Sequence, residues 1–289
     1  MKIGMVGLGR MGAGMAERLR QAGHEVVGYD RNPDVSDVGT LQALVDALDP
    51  PRVVWVMVPS GDPTEATLRE LAGLVSERDI LVDGGNSYYK DSVRRAKELA
   101  ERSIQFLDAG TSGGVWGLEV GFCLMVGGAR EPFQTVEPIF EALAPEEGYA
   151  HVGPSGAGHY SKMVHNGIEY AMLQAYAEGF DLLQASDFGL DLGQLAALWN
   201  HGSVVRSWLL ELAERALVND PKLESLTGYV EDSGEGRWTV LEAVERGVAA
   251  DGMAHALFRR FTSREEDSFS MRMIAALRNE FGGHEVKQQ

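Results

Sequence analysis

The sequence predicts an α/β chain in two parts: an N-terminal doubly wound parallel sheet over 1–155, followed by an all-helical C-terminal domain over 156–289. Three observations lead there. Short β-rich runs alternate with helical periodicity up to about residue 150, a glycine-rich turn separates the first run from the first helix, and no convincing strand follows Gly153-Pro154-Ser155-Gly156.

Lys2–Val6 is the first predicted strand. Glu25–Tyr29, Val53–Val58, Ile80–Asp83, Gln105–Asp108 and Phe122–Val126 follow it, with helical stretches such as Gly12–Ala22 and Asp91–Arg102 between them. Asp83-Gly84-Gly85-Asn86-Ser87 and Gly110-Thr111-Ser112-Gly113-Gly114 read as turns at the sheet edge. In an open parallel sheet, loops at the strand C-termini border the ligand crevice. Ala157 to about Leu183 suits one long helix. Asn219–Trp238 and the tail after Phe281 break the helical pattern that follows, and the acidic runs at 231–235 and 265–267 read as solvated faces.

A net charge of −17 argues against nucleic acid or an anionic membrane as partner, since both need a positive surface field. It also means that an anionic substrate must find a locally basic pocket. Only six of the 26 basic residues are lysines, which singles out Lys162 in its polar cluster. No apolar stretch approaches the roughly 20 residues of a membrane-spanning helix, and the first residues do not resemble a signal peptide. The single cysteine, Cys123, lies in a run that reads as a buried strand and fits a reducing cytoplasm.

Gly7-Leu8-Gly9-Arg10-Met11-Gly12 follows a predicted strand and opens a predicted helix. In that context the glycines serve a tight turn, close approach of the backbone to a pyrophosphate, and packing of helix on strand, as in a Rossmann-type dinucleotide site. The helix N-terminus then offers unpaired N–H groups to the phosphates. Asp30 ends the second strand where a carboxylate accepts hydrogen bonds from the adenosine ribose, which favours NAD. Arg31 and Asn32 follow it, and an arginine there can compensate a 2′-phosphate, so NADP stays open. Val58 and Asn86, at the ends of later strands, complete the expected cofactor contacts.

On the long helix, Glu169 falls about 20° round the axis from Lys162, Asn166 about 40° and His165 about 60°. A lysine, an amide, an imidazole and a carboxylate therefore share one face, while Met163, Val164, Ile168, Ala171 and Met172 suggest burial on the others. Gly167 in mid-helix admits either a ligand or another helix. Arg237 with Thr239, Arg260, and Arg278 with His284 have no evident structural duty, and arginine forks suit phosphate or carboxylate.

Taken together, these segments resemble the decarboxylating 6-phosphogluconate dehydrogenases in their shorter form. The likeness is carried by the Gly7–Gly12 loop, Gly84–Ser87, Ser112-Gly113-Gly114, Lys162–Tyr170, Gly236–Thr239 and Arg278–His284. It implies Lys162 as general base and Glu169 as general acid. It also implies that Asn86, Ser112, Gly113, Gly114, His165 and Asn166 hold a sugar acid whose phosphate meets Tyr170, Arg237, Thr239, Arg260, Arg278 and His284. Two departures are Arg237, where longer members carry lysine, and Val115-Trp116, where many are acidic. The resemblance further implies a homodimer or homotetramer whose tail reaches the neighbouring subunit's site.

The chemistry so implied is oxidation of an alcohol β to a carboxylate, loss of CO2 and protonation of the enediol, without metal. Lys162 must start neutral, for which desolvation and nearby arginines are the available causes. The histidines show no metal-binding spacing. Two alternatives remain: a 3-hydroxyisobutyrate-type dehydrogenase, which lacks a phosphate site, and a non-catalytic nucleotide-sensing protein.

Overall fold

The computed structural model describes residues 1–282. Its first compact unit, Met1–His165, is built on a seven-stranded sheet. In chain order it comprises β1 (Lys2–Val6), α1 (Arg10–Gln21), β2 (Glu25–Tyr29), α2 (Leu41–Asp46), β3 (Val53–Val56), α3 (Asp62–Leu74), β4 (Ile80–Asp83) and α4 (Tyr89–Ala100). β5 (Gln105–Ser112), α5 (Gly117–Val120), β6 (Cys123–Gly128), α6 (Arg130–Leu143) and β7 (Tyr149–Gly153) follow, and then α7 (Ala157–Gln184) begins. The strand order β2-β1-β3-β4-β5-β6-β7 reverses direction at β1, the switch point of a doubly wound sheet.

Period-two alternation feeds both faces of this sheet. Ile3, Met5, Val53, Trp55, Ile80 and Val82 point into one apolar cluster with Met15 and Leu19 of α1, whereas Val6, Val54, Val56 and Leu81 point into the other with Leu41, Leu68 and Leu71. Burial on both sides explains why the strands read as near-continuous apolar runs. α1 lays Gly12, Met15, Ala16 and Leu19 on the sheet at the spacing of one helical face.

The sheet is parallel except at β5–β6, which pair antiparallel with Ser112 opposite Cys123. Only ten residues join these two strands, too few for a helical crossover. Three expectations change here. Gly110-Thr111-Ser112 belongs to β5 and is not a turn, because it pairs with Met125, Leu124 and Cys123. Cys123 is exposed, since the same alternation sends Phe122, Leu124 and Val126 into the core. β7 is an additional strand, paired in parallel with β6.

The second compact unit begins at Asn166, within α7. α8 (Leu192–Trp199), α9 (Trp208–Asn219), α10 (Glu235–Arg246), α11 (Asp251–Thr262) and α12 (Phe269–Gly282) follow, with no strand among the described residues. Asp191 and Ser207 cap α8 and α9 by accepting the N–H groups of Gln194 and Leu210. Glu235–Trp238 form the first turn of α10, so the non-helical segment after α9 stops earlier than expected. Ile168, placed on an apolar face by the sequence, is 47% exposed.

Candidate active site

Gly7, at φ +93°, donates its N–H to Tyr29 O at 2.8 Å, and a Cβ there would lie 2.6 Å from Met57 O. A Cβ on Gly12 would lie 1.9 Å from Gly7 O, so helix and turn close on one another as a glycine contact. Gly9 differs: a Cβ there would meet nothing within 4 Å. Its surroundings are open, which is the cradle a pyrophosphate needs beside a helix N-terminus. Leu8 N donates to Asp30 Oδ2 at 2.7 Å and Asn32 N to Oδ1 at 2.8 Å. Those amides, Asn32 first, hold the Asp30 carboxyl below the usual carboxylate range. Each oxygen keeps a lone pair for a ribose hydroxyl. Val58 lines the turn, its Cγ1 3.2 Å from the Gly7 Cβ position, and Arg10, Arg31 and Asn32 are exposed around it.

The turn bearing Asn86 hangs from Asp83, which is fully buried. Asp83 accepts Gly85 N at 3.2 Å, Ser87 Oγ at 2.8 Å and Arg95 Nη1 at 3.1 Å. Arg95 is itself buried on α4 and donates Nε to Glu65 of α3 at 3.0 Å. Arg94, followed by Arg95, pulls the Glu65 carboxyl down to about 2. A carboxyl depressed from 4.5 stabilises the fold above its unfolded value and loses that contribution as pH falls from about 4.5 towards 2. Acid titration of unfolding should therefore be less steep in Glu65→Gln over that window, measured by circular dichroism. An unchanged acid limb would refute the coupling.

α7 starts against β5 and β6. Asp108, fully buried, accepts Gly156 N at 2.6 Å and His159 N at 2.9 Å. A Cβ on Gly110 would stand 2.5 Å from Lys162 Cβ, so the strand touches the helix at the lysine. Lys162 is 9% exposed, and Ser112 Oγ lies 3.5 Å from His165 Nε2. Gly113 and Gly114, both at positive φ, turn the chain out of β5. Lys162, Ser112 and His165 thus gather where α7 packs on the C-terminal part of β5.

In the helical unit a second group assembles. The Arg260 guanidinium sits 3.4 Å from the Tyr170 ring centroid and donates to Glu231 O at 3.0 Å. Arg237 grips Asp232 with both arms, at 2.8 and 3.0 Å, and Arg264 adds a bond at 2.7 Å. Thr239 Oγ1 donates to Glu235 O at 2.9 Å, and its methyl would lie 2.6 Å from a Cβ on Gly167. Gly167 therefore admits another helix. The acidic run at 231–235 is not a solvated face: Asp232 has a side chain 4% exposed and Glu235 is buried. Arg237 and Arg260 also have structural partners that the sequence did not reveal. Asn166 and Glu169 are half-buried on α7, and Arg278 is exposed on α12. His284 lies outside the described residues.

Sequence reasoning missed Asp108, Arg95, Asp232 and Arg264. Arg95 left one signal: with Ser92 and Leu99 it occupies the stripe that α4 buries, where a charge needs a partner.

A mostly parallel sheet that reverses at β1, a glycine turn at the N-terminus of α1 and an amide-held carboxylate after β2 are the features of a nicotinamide-dinucleotide oxidoreductase. Residues 2–153 match the model of the NAD binding domain of 6-phosphogluconate dehydrogenase, and residues 158–288 that of the 6-phosphogluconate dehydrogenase C-terminal domain. The chain belongs to the 6-phosphogluconate dehydrogenase family. It is 45% identical over 300 residues to the NAD(+)-dependent, decarboxylating 6-phosphogluconate dehydrogenase of Haloferax volcanii, covering 100% of this chain and 99% of that one. Plasmodium falciparum 6-phosphogluconate dehydrogenase, solved with NADP+ and with 6-phosphogluconate, superposes with TM-score 0.84 at 26% identity, over 100% of this chain and 66% of its own. Mycobacterium tuberculosis 3-hydroxyisobutyrate dehydrogenase shares the fold, with TM-score 0.73 at 23% identity over 96% of this chain and 99% of that one.

Proposed function

We propose that the protein oxidises and decarboxylates 6-phospho-D-gluconate to ribulose 5-phosphate and CO2, reducing NAD in preference to NADP. The observation that carries the substrate assignment is the gathering of Arg237, Arg260 and Arg264 around Tyr170 and Phe261. Two of the guanidiniums, Arg237 and Arg264, share the carboxylate of Asp232, while Arg260 bonds only a backbone carbonyl, that of Glu231, in a chain of net −17. A small acid without phosphate, such as 3-hydroxyisobutyrate, has no use for that cluster. Arg278 and His284 are assigned to the same phosphate. The Asp30 carboxylate supports NAD, because it repels a 2′-phosphate.

Gly7–Gly12, Asp30, Arg31, Asn32, Val58 and Asn86 are the residues assigned to hold the dinucleotide, which when bound supplies the hydride acceptor. Lys162 takes the proton of the hydroxyl β to the carboxylate, with Asn86, Ser112, Gly113, Gly114, His165 and Asn166 orienting the sugar chain. As an ammonium, Lys162 then holds a proton at the ketone oxygen while the bond to the carboxylate breaks, and CO2 leaves its electrons on the enediol. Glu169, two turns along the same helix, delivers a proton to the carbon that lost CO2. Domains dividing at 155/156 and a homodimer or homotetramer with exchanged tails complete the reading. Exposed Leu182, Phe188, Val204 and Phe269 support assembly.

Initial rates with 6-phosphogluconate, gluconate and 3-hydroxyisobutyrate, each with NAD and NADP, test it directly. Preference for gluconate or 3-hydroxyisobutyrate would overturn the assignment. Arg260→Ala is expected to raise KM for 6-phosphogluconate about tenfold to a hundredfold, as loss of a charge-assisted contact does, with kcat little changed. An unchanged KM would remove Arg260 from the phosphate.

A further inference from the structure

α4 carries two polar side chains on the face that it buries, and each grips a different part of the sheet unit. Ser92 is fully buried, and its hydroxyl lies 2.7 Å from Nδ1 of His159 on α7. One turn along, Arg95 is 4% exposed and holds Asp83 and Ser87, which bracket the turn carrying Asn86. Residues three apart on a helix face the same way, so a single face reaches both the lysine helix and the asparagine turn.

The remaining contacts make this grip rigid. Tyr89 of α4 meets Tyr160 edge-on at 5.0 Å, and a Cβ on Gly156 would lie 2.5 Å from Val93. His159 and Tyr160 precede Lys162 by three and two residues, so α4 clasps α7 immediately before the lysine. His159 is 1% exposed, and its Nε2 meets no hydrogen-bond partner among the described residues. Ser92 is therefore what orients the imidazole, and a buried orphan nitrogen is a cost that a purely packing role would have removed by an apolar residue.

We infer that the buried polar face of α4, Ser92 and Arg95, acting through His159 and the Asp83–Ser87 turn, sets the register between Lys162 and Asn86. Ser92, Arg95 and His159 are positioning residues. The inference rests on the proposed roles of Lys162 and Asn86, so the test reads both turnover and backbone protection. Ser92→Ala and His159→Leu should each lower kcat for 6-phosphogluconate about tenfold, the scale of a sub-ångström misplacement, while KM for the dinucleotide stays within about twofold. The double variant should be no worse than either single one, and His159→Asn, whose amide can reach Ser92, should recover most of the loss. By amide hydrogen exchange, Ser92→Ala should raise exchange at 157–163 and Arg95→Lys, which cannot span Glu65 and Asp83 together, at 84–88. Additive losses, no rescue by His159→Asn, or unchanged exchange in both segments would overturn the bracket. If the wild-type protein turns over no sugar acid, the substrate reading fails, and the exchange arms still decide whether α4 holds these two segments.

Discussion

Lys162→Ala is expected to lower turnover of 6-phosphogluconate by about a thousandfold or more while NADH still binds with near-normal affinity. General-base catalysis alone accounts for about 10²–10⁴ in rate, and here the same side chain also carries the proton that stabilises the forming enolate. Alanine removes both roles. It leaves the glycine cradle, Asp30 and Val58 unaltered, since they sit on the loops after β1, β2 and β3. The fold should survive, because alanine keeps the Cβ that packs over Gly110 and favours the helix at that position. Stopped-flow oxidation and NADH fluorescence titration separate the two effects. Near-normal turnover in this variant would end the assignment of Lys162 as base.

Asp108→Ala should cost about 2–6 kcal/mol of stability, because it strands two buried N–H groups, each worth about 1–3 kcal/mol when left unsatisfied. The carboxylate packs closely, since a Cβ on Gly127 would lie 2.6 Å from its Oδ1. The stranded groups belong to Gly156, just before α7, and His159, in its first turn, where a negative charge also offsets the helix dipole. Turnover should therefore fall with stability, since Lys162 lies less than one turn beyond His159. Urea unfolding of Asp108→Ala beside Asp108→Asn measures this, the asparagine retaining one acceptor and about half the loss. A midpoint shift below that expected for 1 kcal/mol would show that α7 is held chiefly by its apolar side chains.

Much of the scaffold is legible from local patterning. β1, β2 and β4 lie where short β-rich runs and flanking glycines place them, and β4, buried on both faces, is the most continuously apolar of the three. α7 is legible because 28 residues without proline sustain one helical period. What escapes is set by distant partners. Gly110-Thr111-Ser112 has turn chemistry, and only pairing with β6 makes it a strand. β7 is short and half-exposed, with weak alternation around His151. Asp232 looks like one more solvated acid, and only Arg237 and Arg264, five and 32 residues away, reveal it as the centre of a charge cluster. Lys162, Asn86 and the glycine loop are visible as motifs; the side chains that hold them in place are not, because burial and pairing are properties of the folded chain.

The antiparallel exit from the sheet has a practical consequence. Turning β6 back along β5 brings Cys123, the one thiol in the chain, to the surface directly across the ladder from Ser112. A maleimide fluorophore would attach there without any substitution, giving the wild-type protein a built-in optical reporter one strand away from where the sugar acid is expected to arrive.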